Sequence, residues 1–308
     1  MSSIWVYPGQ GAQKINMLHD LPKHQLVNQY LEHASDVLET DVMLLDQGDA
    51  LKSTYSVQLC LYLAGVISSS LLQTYGVRPK FVAGLSIGAW AAATVANVLS
   101  FEDGLRLVAK RGRLMQEAYP SGYGMTAILG TDRTQIERWI TQIDENTNVF
   151  IANLNAENQV VISGSVQAMQ KLVAIAHEGG ATAKKIEISV PSHCVLLEKQ
   201  AQQLACFMEG IQTKQPTIQY LSSTSARLLK TDTQIWDDLA FNMSRVVDWH
   251  NTVQAAWERG VRLQIEALPG TVLTGLARKV FKEGTLLSFQ NTQIESLIIA
   301  MQKQEHFV

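Results

Sequence analysis

Phe81-Val-Ala-Gly-Leu-Ser-Ile-Gly-Ala-Trp-Ala-Ala-Ala-Thr-Val95 is the stretch on which the fold turns. Its first three residues form a short apolar run that reads as a buried strand. Gly84-Leu-Ser86-Ile-Gly88 matches G-x-S-x-G, and a small-residue helix from Ala89 to about Leu99 follows. A strand passing into a helix through a turn this tight needs small residues on both sides of the serine. Such a nucleophile elbow exposes the serine Oγ and leaves the next backbone N–H, that of Ile87, free for a developing oxyanion. The competing reading is an ordinary turn serine, against which the flanking strand and helix weigh.

Upstream, Ile4–Tyr7 is another short apolar strand, stopping at Pro8-Gly-Gln-Gly11, a loop whose backbone can approach a ligand closely. Ser56–Tyr75 has helical periodicity. Downstream, Ser100-Phe-Glu-Asp103 is a capping-box pattern opening a helix that runs to about Ala118. In that helix Arg106, Lys110, Arg113 and Glu117 share one stripe, whereas Arg111 falls with Leu107, Leu114 and Ala118 on an apolar seam. A buried guanidinium is costly unless paired, so Arg111 has either an internal carboxylate partner or a substrate carboxylate to clamp.

Residues 124–189 keep their own rhythm: strand Met125–Leu129, helix Asp132–Ile143, strands Val149–Asn153 and Gln159–Ser163, helix Gln167–His177, strand Ala183–Ile188. This is the split βαβ order of a ferredoxin-like unit. After it come helical patterns at Val195–Met208, Thr233–Asn242 and Trp249–Gly260. Strands at Ile218–Ser222 and Leu263–Leu268 precede a final helix at Val272–Val280. The expectation is an α/β protein: a parallel-sheet large domain, 1–123 and 190–308, carrying a small domain at 124–189.

The bulk properties fit. The chain has 308 residues, 46% hydrophobic and 17% charged, with net charge -3, so no basic excess argues for nucleic acid. No secretory n- and h-region opens it, and the apolar runs near Leu59–Leu72 and Ala89–Leu99 are interrupted, so no membrane span is expected. Cys60, Cys194 and Cys206 have no metal-ligand spacing and are odd in number, which points to reduced thiols in the cytoplasm rather than disulfides or zinc.

A serine nucleophile needs a base. Of seven histidines, His19, His24, His33 and His306 lie in polar terminal segments, His177 closes a helix and His250 sits in a polar stretch beside Trp249. His193, in Val190-Pro-Ser-His-Cys194, lies where the small domain rejoins the large one. That is a place where sites are built, though a capping or core histidine is the equal alternative.

Six motifs now stand in order: Pro8-Gly-Gln-Gly-Ala-Gln13, Gly84-Leu-Ser-Ile-Gly88, Arg111-Gly-Arg-Leu-Met-Gln116, Asn158-Gln-Val-Val-Ile-Ser-Gly164, Ser189-Val-Pro-Ser-His-Cys194 and Pro269-Gly-Thr-Val-Leu-Thr-Gly-Leu276. Together they resemble the malonyl-CoA:acyl-carrier-protein transacylase family over nearly the whole chain. The resemblance implies an α/β-hydrolase-like large domain with a ferredoxin-like insert. It makes Ser86 the nucleophile, His193 the base and Arg111 the partner of the malonyl carboxylate. The Gln10 and Ile87 amides become the oxyanion hole, and the backbone carbonyl of Asn242 the group that orients the histidine. It implies no resident cofactor: malonyl-CoA is the donor, and the phosphopantetheine-type arm of an acyl carrier protein the acceptor.

Two positions depart from the family pattern. Most members have His before the nucleophile and Glu after the second elbow glycine; here these are Leu85 and Ala89, followed by Trp90. In this the chain resembles the transacylase (epsilon) subunit of bacterial malonate decarboxylase, whose carrier bears a modified dephospho-CoA arm. The sequence-level alternatives are a malonyl transacylase of fatty-acid or polyketide synthesis and a serine thioesterase, for which Asp232, Asp237, Asp238 and Asp248 are candidate triad acids. A non-catalytic docking subunit is a further one. Trp90 either narrows the pocket or packs its helix.

Overall fold

The computed structural model describes residues 2–143 and 148–305, so His306 lies outside the described residues. In chain order the elements begin with β1 (Ser2–Tyr7), α1 (Gln25–Leu38), α2 (Thr54–Thr74), β2 (Phe81–Gly84), α3 (Gly88–Val95) and α4 (Phe101–Ala118). Next come β3 (Tyr123–Leu129), α5 (Arg133–Ile140), β4 (Val149–Ala156), β5 (Gln159–Ser165), α6 (Val166–Glu178) and β6 (Thr182–Ile186). The chain continues through α7 (Glu198–Met208), β7 (Gln219–Leu221), β8 (Leu228–Leu229), α8 (Asp232–Phe241) and α9 (Trp249–Glu258). It ends with β9 (Val261–Glu266), α10 (Val272–Ala277), β10 (Thr285–Ser288) and α11 (Ile294–Glu305).

The larger sheet has six strands in the order β10-β9-β1-β2-β7-β8. All its pairings are parallel except β7 with β8. Its central strands β9, β1 and β2 are buried on both faces, which is why β1 and β2 read as continuous apolar runs rather than alternating ones. Behind them α2 is the core helix. It is 21 residues long, long and apolar enough to cross a bilayer, but 89% of its most apolar 18-residue stretch is buried inside the protein. Of the interruptions that argue against a span in the sequence, Ser68 and Ser69 are here buried hydroxyls, Ser68 returning a hydrogen bond to the Ala64 carbonyl at 2.7 Å, within the same helix.

The smaller sheet runs β4-β5-β3-β6, entirely antiparallel. Numbered within the unit this is 2-3-1-4, the ferredoxin-like order expected from the sequence. α5 and α6 cover one face, over a core that includes Ile136, Trp139, Ile162 and Leu172. Met125, Ala127, Ala152 and Val161 on the other face look toward the large domain. A backbone bridge ties the two parts: Leu154 N–H donates to Val247 O at 2.8 Å, and Val247 N–H to Ala152 O at 2.9 Å.

Several helices end earlier than their apolar patterns. The helix expected to reach Leu99 stops at Val95, because Asn97 turns into the left-handed region at φ 63° and Val98 N–H caps back on Ala93 O at 2.9 Å. α5 ends at Ile140 and α10 at Ala277, not at Ile143 and Val280. α1, β8, β10 and α11 have no counterpart among the elements expected from the sequence. His24 caps α1 by accepting from Leu26 N–H at 3.1 Å, and His33 on α1 meets Glu102 at 2.9 Å.

Candidate active site

The elbow forms as its glycines require. A Cβ on Gly84 would stand 2.0 Å from the Gly88 carbonyl carbon, and one on Gly88 would stand 2.2 Å from the Tyr7 carbonyl oxygen. β2, α3 and the end of β1 can therefore meet only if both positions lack a side chain. Ser86 between them has φ 55°, the left-handed region that non-glycine residues rarely occupy. The turn lifts its Oγ off the sheet into a cleft of about 470 Å³ shared with Gln10 and His193. The small domain supplies the opposite wall, including Asn153, Gln159 and Lys184. A larger polar depression of about 890 Å³, near Trp139 and Lys279, contains none of these groups.

His193 is almost wholly buried and also has a positive φ, 63°. Its Nε2 lies 2.8 Å from Ser86 Oγ. Its Nδ1 faces two backbone carbonyls, Asn242 O at 2.9 Å and Arg245 O at 3.2 Å. Carbonyls only accept, so the proton sits on Nδ1 and Nε2 is left bare to accept from the serine hydroxyl. Burial first, and then the Arg111 charge, push the imidazole pKa from 6.5 down to about 4, so the ring is neutral near pH 7. This gives a pH prediction: the second-order rate of acylation, which reports the free enzyme, stays level as pH falls through 6.5 and drops only well below it. A midpoint at or above 6.5 in a stopped-time acylation series would show that the ring is not held as described.

None of the candidate acids reaches this ring. Asp232 accepts from Thr213 and Gln215, Asp237 from the Arg245 guanidinium, Asp238 from three hydroxyls and Asp248 from Asn251 at the start of α9. The orienting groups are backbone carbonyls instead. Asn242 contributes its main chain only, since neither polar atom of its buried side chain has a partner.

Arg111 on α4 is fully buried on the seam its spacing predicts. Among the described residues no carboxylate pairs with it, which removes the internal salt bridge from the two readings of its burial. Nη1 donates to Gln58 Oε1 at 2.6 Å, Nη2 to Ser86 Oγ at 3.3 Å, and Nε has no partner. Burial holds its pKa down to about 9, still charged near neutrality. A desolvated cation beside the nucleophile, with donor capacity unspent, suits an acyl group that ends in a carboxylate a few ångströms beyond its carbonyl.

Gln58 went unrecognised in the sequence. It is the fully buried amide of α2, and its Nε2 donates to Met115 Sδ at 3.2 Å while Oε1 holds Arg111. The available signal was a glutamine inside an otherwise apolar helix. Gln58→Leu is expected to raise the malonyl-CoA concentration for half-maximal acylation about tenfold, through a mis-set guanidinium. Saturation curves on the folded variant check this, and an unchanged half-saturation would count against Gln58 as the support of Arg111.

Gln10 lines the cleft with Ser86 and Ile87 follows the serine in the chain, and neither backbone N–H has a protein partner among the described residues. Leu85 lines the cleft and packs over Gly9, where a Cβ would come within 2.7 Å of Leu85 Cδ2. Ala89 and Trp90 are buried in the main core, so Trp90 packs its helix and does not border the cleft.

The family model for the acyl transferase domain matches residues 4–307. The malonyl CoA-acyl carrier protein transacylase of Haemophilus influenzae is 37% identical over 89% of this chain and 91% of its own length. That of Bacillus subtilis is 32% identical over 99% of both. Among solved structures, FabD of Acinetobacter baumannii superposes with a TM-score of 0.93 at 32% identity, covering 98% of this chain and 99% of that one. A malonyl-transacylase in complex with its type II PKS acyl-carrier protein superposes at 0.92 with 34% identity, covering 98% and 100%. The chain therefore belongs to the malonyl-CoA:acyl-carrier-protein transacylase family of acyl transferases.

Proposed function

We propose that this chain moves a malonyl group from malonyl-CoA to the thiol arm of an acyl carrier protein through a malonyl-Ser86 ester. The observation that carries the reading is the conjunction at one oxygen: Ser86 Oγ lies 2.8 Å from a neutral imidazole nitrogen and 3.3 Å from a buried, carboxylate-free guanidinium. In the first half-reaction His193 Nε2 takes the serine proton as Oγ attacks the thioester carbonyl. The Gln10 and Ile87 N–H groups receive the oxyanion. Collapse expels CoA, which recovers the proton from His193. In the second, the carrier thiol gives its proton to His193 and attacks the ester, and Ser86 Oγ leaves, recovering that proton from His193. Arg111 holds the distal carboxylate throughout.

The reading divides the chain into a catalytic domain, 1–123 and 190–308, and a small domain, 124–189, with the acyl group held between them. It needs no resident cofactor, and the three unpaired cysteines suit a reducing, cytoplasmic compartment. For the acceptor, Leu85 and Ala89 point toward the carrier of a malonate decarboxylase. The relatives point instead to malonyl transacylases serving carriers such as the type II PKS protein, and they support that alternative better.

The test is the intact mass of the protein after mixing with malonyl-CoA, followed by addition of carriers bearing either an ordinary phosphopantetheine or a dephospho-CoA-type arm. One malonyl adduct, discharged onto a carrier, is expected, and the preferred arm settles the choice of acceptor. Release of free malonate at full rate without any carrier would instead make the protein a hydrolase.

A further inference from the structure

We propose that Asp237 and Asp238 are positioning residues for His193, acting through the turn that carries the Asn242 and Arg245 carbonyls. What His193 does is taken from the functional reading above; where it is held is not. Three carbonyls from four consecutive residues grip this histidine. Its backbone N–H donates to Met243 O at 2.7 Å, and its Nδ1–H points at Asn242 O, 2.9 Å, and Arg245 O, 3.2 Å. None of these contacts depends on which side chains the turn bears. The position of the turn alone therefore sets the position of the base.

That turn, Asn242–Ser244, is the direct continuation of α8, with Arg245 N–H donating to Phe241 O at 3.2 Å. The last turns of α8 are anchored on two faces. Inward, Asp238 is 3% exposed and accepts from Tyr220 Oη at 3.0 Å, from Ser222 Oγ at 2.7 Å and from Thr224 Oγ1. These hydroxyls lie in and just beyond β7, the strand paired with β2, which delivers Ser86. The carboxylate thus registers the histidine's turn to the strand beside the nucleophile's own. Outward, Asp237 grips the Arg245 guanidinium with both oxygens, at 2.6 and 3.3 Å, closing the turn on itself. The same guanidinium lies over the Phe241 ring, 4.9 Å from its centroid.

A carboxylate buried this deeply is tolerated only when its acceptor sites are filled, and filled networks of this kind are rigid. Rigidity is what proton transfer across 2.8 Å requires, because a shift of an ångström or less costs large factors in rate. The two aspartates thus do, one step removed, part of what a triad acid does by direct contact: they hold the ring and its tautomer.

The experiment is single-turnover malonylation of Ser86 by the full chain across malonyl-CoA concentrations, with Asp237→Asn, Asp238→Asn and, as a control at the far end of the same helix, Asp232→Asn. Exchange of the His193 Nδ1 proton is followed by NMR alongside. The maximal acylation rate is expected to fall about threefold in Asp237→Asn and about tenfold in Asp238→Asn. Half-saturation should stay within about twofold of the parent, the Nδ1 proton should exchange faster, and the control should be unchanged. Ser222→Ala, which removes one donor, replaces Asp238→Asn if that variant gives no cooperative melt. Parent-like rates and exchange in both aspartate variants overturn the proposal, and so does a loss confined to half-saturation or equalled by Asp232→Asn. If the parent protein takes up no malonyl group, the functional reading fails, while the exchange measurement still decides the positioning role.

Discussion

Ser86→Ala is expected to carry no malonyl adduct after any exposure to malonyl-CoA, and His193→Ala to acylate Ser86 more slowly by about four orders of magnitude or more. The two effects have different origins. Removing Oγ removes the atom to which the ester is made. Removing the imidazole leaves Oγ in place, still held above the sheet by Gly84 and Gly88, but with no acceptor for its proton at 2.8 Å. A serine hydroxyl is then a poor nucleophile, and the remaining help comes from the Gln10 and Ile87 amides and from substrate binding. Rapid-quench mass measurements separate the cases. A His193→Ala protein that acylates within tenfold of the parent would remove His193 from the chemistry.

The second large effect is expected at Arg111. In Arg111→Ala, malonyl transfer should fall about 100-fold to 1000-fold, the cost of leaving a carboxylate desolvated without its partner, whereas acetyl transfer should fall far less. The selectivity between the two acyl groups is the informative quantity, because a general disturbance of the elbow would lower both together. Arg111→Lys should restore little. A single ammonium cannot donate to Gln58 Oε1 and also present two parallel donors to a carboxylate. The acid limb of acylation should also move toward higher pH in Arg111→Ala, since the Arg111 charge is one of the two causes that depress the His193 pKa. Competition between malonyl-CoA and acetyl-CoA, read as adduct mass, tests this, and equal losses for the two donors would end the clamp assignment.

The order of strands and helices was readable because each carries its period in its own residues. The elbow was readable because glycine was the only residue that fitted at positions 84 and 88. Arg111 announced itself by standing on an apolar seam. α1, β8, β10 and α11 passed unread. In α1 only Val27 and Ala34 are buried, too sparse an apolar stripe to stand out from a polar segment. Three helices are shorter than their patterns, because apolar residues continue past Val95, Ile140 and Ala277, where each helix has already ended.

Sequence alone thus determined the two-part α/β architecture, the serine elbow with its candidate nucleophile, the buried arginine and the family. Each of these is written in residue types at fixed spacing. Tertiary structure alone added the Arg245 carbonyl beside that of Asn242 at His193 Nδ1, the Gln58 amide at Arg111, and the finding that no carboxylate pairs with that arginine among the described residues. The orienting groups are main-chain carbonyls, which every residue possesses and no side chain advertises. Gln58 meets Arg111 across 53 positions of chain, and His193 meets Ser86 across 107. Contacts of that range arise from the packing of helices on the sheet, and no local pattern of residues encodes them.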